Sequence, residues 1–105
     1  MINSDLLRHM RSDAYLVNTS RGGLVDEDAL VDALKNKIIA GAGLDVLNSE
    51  SEIKNNPLSK MENVILTPHA AFSSAESTQE LREKVMHDVI AVLTGKQPKY
   101  QLNNV

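Results

Sequence analysis

Ala14-Tyr15-Leu16-Val17-Asn18 runs into Thr19-Ser20-Arg21-Gly22-Gly23, and after Leu24-Val25 comes Asp26-Glu27-Asp28-Ala29-Leu30-Val31-Asp32-Ala33-Leu34. The first group is a brief apolar run rich in strand formers. The two glycines mark a turn. Asp26 stands where a helix N-cap is wanted, and Ala29, Leu30, Ala33 and Leu34 form an apolar stripe at helical spacing. Strand, turn and helix in that order open a parallel α/β unit, because a parallel partner strand is reached only through a crossover. The partner follows a polar break at Lys35-Asn36-Lys37. Ile38-Ile39-Ala40-Gly41-Ala42-Gly43-Leu44-Asp45-Val46 is a buried-strand candidate whose small residues predict close approach of a neighbouring backbone.

Outward from this unit the pattern continues. The first twelve residues read as a short helix with Ser4 as N-cap and Leu6, Leu7 and Met10 on one face. Residues 48 to 60 are polar, contain Pro57 and read as a loop. Val64-Ile65-Leu66 is a third strand, stopped by Thr67-Pro68. From about Ser74 to Leu93 runs the longest helix, with Leu81, Val85, Val89 and Val92 along one side and Gly95 closing it. The tail is polar apart from Tyr100, Leu102 and Val105. The fold class is therefore α/β, a parallel sheet of about three strands flanked by helices, in one domain spanning 1–105. Strands without polar alternation predict a sheet covered on both faces. Its outer strands need cover from the terminal helices or from a partner's strands.

Composition narrows the function. Three aromatics among 105 residues leave an aliphatic core and no platform for base stacking, and a net charge of −3 offers no footprint for nucleic acid or anionic membrane. The absence of cysteine removes disulfides and thiolate chemistry and fits a reducing cytoplasm, the expected location. No apolar run approaches a membrane span, and no leader pattern opens the chain.

Three polar residues end hydrophobic runs, as side chains do at the carboxyl edge of a parallel sheet, where ligands bind. Arg21 offers a planar fork able to hold a carboxylate by two charge-assisted hydrogen bonds, although a solvated loop arginine has the same sequence appearance. His69 can pass a proton near neutrality, or can simply occupy the turn after Pro68. Glu50 can orient a histidine, or lie solvated beside Glu52. Asp45 ends an apolar strand, so it must face a polar cleft or a donor. Gly41-Ala42-Gly43 is no phosphate loop, since it lies inside a strand and opens no helix. No metal-ligand pattern is present.

Leu16 to Leu34, Ala40 to Val46, and Asn63 to Ala71 with Thr67-Pro68-His69 resemble, in order and spacing, signatures of the NAD-dependent D-2-hydroxyacid dehydrogenases. The resemblance implies a partial Rossmann-like domain, comprising the second half of the NAD-binding domain and the C-terminal helix. By it, Arg21 binds the substrate carboxylate, His69 is the acid–base group paired with Glu50, and Thr19 and Asp45 meet NAD. It also implies a small 2-hydroxy acid as substrate, and a homo-oligomer or a complementing chain as partner. Ser51 stands where the family often carries proline after the glutamate. The family's phosphate-binding glycine loop and its substrate domain are not among these residues. The isolated chain is accordingly expected to bind NADH weakly and to turn over nothing alone; a non-catalytic remnant or a self-associating module is the alternative.

Overall fold

A computed structural model describes residues 1–102; Val105, assigned above to the tail, lies outside them. The chain forms two compact units, residues 1–71 and 72–105. In the first, helix α1 (Ser4–Arg8), strand β1 (Tyr15–Asn18), helix α2 (Glu27–Lys35), strand β2 (Gly41–Leu44) and strand β3 (Val64–Leu66) follow in that order. The second contains helix α3 (Ala75–Leu93).

The three strands make one parallel sheet in the order β1-β2-β3. Register pairs Asn18 with Leu44 and Leu44 with Leu66, so the carboxyl ends of all three strands lie level. Leu44 is buried and Leu16, Val64 and Leu66 are partly buried, on the face that joins the core. Leu7, Leu30, Ile39 and Leu58 are the largest fully buried side chains; each contributes about 1.5–3 kcal/mol relative to exposure. The expectation of two covered faces is met on one. Val17, Gly43 and Ile65 share a cross-strand row, and Val17 and Ile65 are each 69% exposed, as Tyr15 is at 70%. Period-two alternation is present, but both faces carry apolar residues, so the sequence could not say which one is packed.

Local details refine the reading. The first helix is shorter than twelve residues, and its N-cap is Asn3 rather than Ser4, the Asn3 side-chain Oδ1 accepting from the Leu6 amide at 3.1 Å. Leu7 is buried, whereas Leu6 is half exposed. Asp26 does cap α2, accepting from Ala29 N at 3.1 Å. Of the predicted strand at 38–46, Gly41–Leu44 forms the strand proper, with single backbone bonds from Ala40 N and Asp45 N continuing it at each end, and Ile39 serves the core. Close approach is real at Gly41, where a Cβ would meet the Asn63 carbonyl oxygen at 2.6 Å and the Tyr15 ring at 2.9 Å. The 48–60 loop contains two 3₁₀ segments, Glu50–Asn55 and Pro57–Lys60.

In the second unit Ser74 and Ser77 form a reciprocal capping box at the start of α3. The helix ends in paired bonds from Gly95 N to the Val92 carbonyl and from Lys96 N to the Ala91 carbonyl. Asp88 folds the tail back by accepting from Lys99 N at 2.9 Å and Tyr100 N at 3.0 Å. These amides hold its carboxyl below the ordinary range. Leu81, Val85, Val89 and Val92 remain substantially exposed along one side. Among the described residues, no helix is long and apolar enough to cross a membrane.

Candidate active site

Beyond the last paired row of the sheet come Thr19, Asp45 and Thr67, one at the end of each strand. Asp45 N donates to the Asn18 carbonyl at 2.9 Å and Thr67 N to the Leu44 carbonyl at 3.0 Å, extending the ladder by one step. The parallel register therefore delivers three loops to one edge, and those loops carry the candidate residues.

The first loop is held from within. Buried Asn18 donates to the Arg21 carbonyl at 2.9 Å and accepts from Ser20 N at 3.1 Å, closing a tight turn after β1. Arg21 is exposed, and its guanidinium donates to the Ser20 carbonyl at 2.7 Å. Gly22 lies against the second loop so closely that a Cβ would fall 2.2 Å from the Leu47 carbonyl carbon. Only glycine permits this contact, which sets the arginine loop directly on the chain leading to Glu50.

Glu50 and His69 meet. His69 Nδ1 lies 2.9 Å from Glu50 Oε1, a distance at which the ring N–H donates to the carboxylate. His69 has φ of +52°, in the left-handed region that most non-glycine residues avoid. The surroundings hold it there. His69 N donates to the Thr67 carbonyl at 3.0 Å, and the next two amides, Ala70 N and Ala71 N, donate to the Asp45 carboxylate at 3.0 and 2.9 Å.

Asp45 is 4% exposed, with a carboxylate that also accepts from the Thr67 hydroxyl. That hydroxyl, then the Ala71 amide, hold its carboxyl below the ordinary range against the opposing effect of desolvation. A carboxylate with a depressed folded pKa contributes stability that is complete above its unfolded value and is lost as pH falls through the folded one. Asp45→Asn is therefore expected to flatten the acid limb of the stability curve below about pH 4. Denaturant melts of both proteins across that range check it; an unchanged acid slope would contradict the role.

The structure thus brings Glu50 and His69 together, ties Asp45 to the histidine loop, and seats Arg21 and Thr19 on the adjoining loop of the same edge. The profile of the D-isomer specific 2-hydroxyacid dehydrogenase NAD binding domain matches residues 1–71. The chain belongs to this family. A glyoxylate reductase from Thermofilum pendens is 47% identical over 103 residues, covering 98% of this chain and 30% of its own. The D-lactate dehydrogenase of Lactobacillus jensenii, solved with NAD+, superposes with TM-score 0.79 at 34% identity over 99% of this chain and 35% of that one. The NADPH-dependent glyoxylate/hydroxypyruvate reductase of Sinorhizobium meliloti, solved with NADP and malonate, superposes with TM-score 0.75 at 39% identity, covering 88% of this chain and 28% of that one. The chain spans about a third of the length of these relatives.

Several supporting residues of this segment carry a weak signal in the sequence or none. Asn18 had a signal, since an asparagine two residues before a turn can bond its own backbone. The Ala70 and Ala71 amides had none, because a backbone donor leaves no trace in residue type. Glu27 sits in the first turn of α2, where any acidic residue is explained by the helix dipole alone. Among the described residues, no cluster of histidine and carboxylates is arranged to hold a metal.

Proposed function

We propose that this segment carries the catalytic edge of a 2-hydroxyacid dehydrogenase that interconverts a small 2-keto acid and its 2-hydroxy acid with NAD. The observation that carries the reading is the His69–Glu50 pair at 2.9 Å on the carboxyl edge of the sheet, beside the loop of Arg21. Arg21 binds the substrate carboxylate through its fork and polarises the adjoining ketone. His69 gives a proton to the carbonyl oxygen in reduction and takes it back in oxidation. Glu50 holds the Nδ1 side of the ring, leaving Nε2 as the proton-transfer atom.

The donor set suits the nicotinamide end of the cofactor. The Asp45 carboxylate takes three of about four hydrogen bonds that such a group can accept, so one acceptor position remains for a carboxamide N–H. Thr19 stands level with it at the strand ends. The cofactor, when bound, supplies the hydride; the chain supplies orientation and charge. A cysteine-free protein of this kind suits the cytoplasm.

The test is a segment exchange. Residues 1–102 replace the matching part of the Thermofilum pendens glyoxylate reductase, and NADH oxidation is followed with glyoxylate and with pyruvate. The chimera is expected to reduce a 2-keto acid, whereas the 105-residue chain alone is expected to bind NADH weakly and show no turnover. A folded chimera that binds NADH and reduces neither acid would overturn the assignment.

A second reading, self-association, is favoured by the exposed row of Tyr15, Val17 and Ile65. Light scattering of the chain at tens of micromolar is expected to give more than the monomer mass, and a clean monomer would remove it.

A further inference from the structure

We infer that Glu27 is a positioning residue that acts through the Glu50 loop on the tautomer of His69, an inference that rests on the acid–base role proposed above for that pair. One Glu27 carboxylate oxygen accepts from Asn48 N at 2.6 Å, and the other accepts from the Asn56 side-chain amide at 2.9 Å. Asn48 and Asn56 are the two ends of the segment that carries Glu50. Glu27 therefore ties both ends of that segment to the first turn of α2, much as a clasp holds a loop of cord.

The polarity of the clasp is determined by its neighbours. Asn56 Oδ1 is occupied by Leu58 N at 2.9 Å, so the Asn56 side chain can offer Glu27 only its NH₂ group. Asn48 offers a backbone N–H. Two donors converge on one side chain, and a carboxylate is the side chain with an acceptor at both oxygens. A neutral amide at 27 satisfies Asn48 with its oxygen but presents NH₂ to NH₂ at Asn56.

Glu50 begins a 3₁₀ segment whose backbone departs from helical geometry at Glu52, and among the described residues no side chain of Glu50–Asn55 is buried. Little apolar packing holds this stretch. Its ends are consequently where its position is decided, and the Glu50 carboxylate reaches His69 only while the ends are held. The consequence is chemical: Glu50 beside Nδ1 selects the ring form that carries its proton on Nδ1. Releasing the loop removes that selection.

The experiment uses the 105-residue chain labelled with nitrogen-15, in which long-range nitrogen–proton correlation spectra distinguish the two neutral ring forms. The wild type is expected to show Nδ1–H at His69, and Glu50→Ala supplies the spectrum of the released ring. Glu27→Ala is expected to move His69 to that released spectrum and to speed amide exchange at Asn48 about tenfold or more, as loss of a charge-assisted hydrogen bond requires. Glu27→Gln is expected to fall between. Glu27→Gln with Asn56→Asp restores the pairing with reversed polarity, and is expected to return the Nδ1–H form. An unchanged His69 form in Glu27→Ala overturns the inference; so does a double variant that folds but leaves the ring released. These readouts involve no turnover, so their failure leaves the roles of Arg21 and His69 to the segment exchange, and failure of the exchange leaves the clasp standing.

Discussion

Replacing His69 by glutamine in the chimeric reductase is expected to lower kcat by about a hundred- to ten-thousand-fold, the range supplied by a positioned acid or base. The physical reason is specific to this edge. The Nδ1 side of His69 is engaged by Glu50, and its backbone is held at φ +52° by the Asp45 scaffold. Glutamine retains a hydrogen-bonding side chain but cannot deliver a proton, so KM is expected to change little. The pH profile is the sharper readout, since the limb belonging to the lost acid disappears. Arg21→Lys is expected to damage turnover as well, because a point ammonium keeps the charge but not the fork that holds the carboxylate beside the ketone. A rate within threefold of the parent for His69→Gln, measured under saturating keto acid, would remove His69 from the proton-transfer role.

Gly22→Ala is expected to destabilise the first unit by about 1–3 kcal/mol or more, the cost of forcing atoms into a packed site. A Cβ there would sit 2.2 Å from the carbon and 2.3 Å from the oxygen of the Leu47 carbonyl, and 2.5 Å from Asn48 N. All three are backbone atoms, so no side chain can swing aside to make room. Either the arginine loop or the Leu47–Glu50 chain must move, and the two carry complementary parts of the site. For a domain of this size each kcal/mol lowers Tm by about 4–8 °C, which makes the change easy to see by thermal melting. Gly23→Ala is the matched control. Its nearest neighbour would be the Asn48 side-chain oxygen at 3.9 Å, ordinary contact, and its melting temperature is expected to stay close to the parent. Equal melting of Gly22→Ala and the parent would show that the close approach is dispensable.

Much of the architecture was legible because its causes are local. A strand-forming run ending at Asn18, an aspartate before a stripe of Ala29, Leu30, Ala33 and Leu34, and the spacing of Leu81, Val85, Val89 and Val92 in the long helix each carry their instruction within a few residues. Boundaries slipped where tertiary packing decides. Ile38 and Ile39 read as strand by composition, yet the strand proper starts at Gly41, and the Ile39 side chain is buried in the core. Asn3 replaced Ser4 as the cap because Ile2 pairs with the chain at Leu24 and Asp26 across 22 residues or more, which sets where the helix begins. Such distances do not register in a local pattern.

By itself the sequence determined the α/β alternation, the positions of three polar residues beyond three strand ends, and the family, because periodicity, capping and ordered signatures are properties of residue order. Only the tertiary structure decided that Glu50 meets His69, that Glu27 bonds both ends of the segment carrying Glu50, and that Val17 and Ile65 are exposed on one sheet face. Those outcomes depend on parallel register and on backbone donors at 48, 70 and 71, and a backbone amide is the same in every residue that has one.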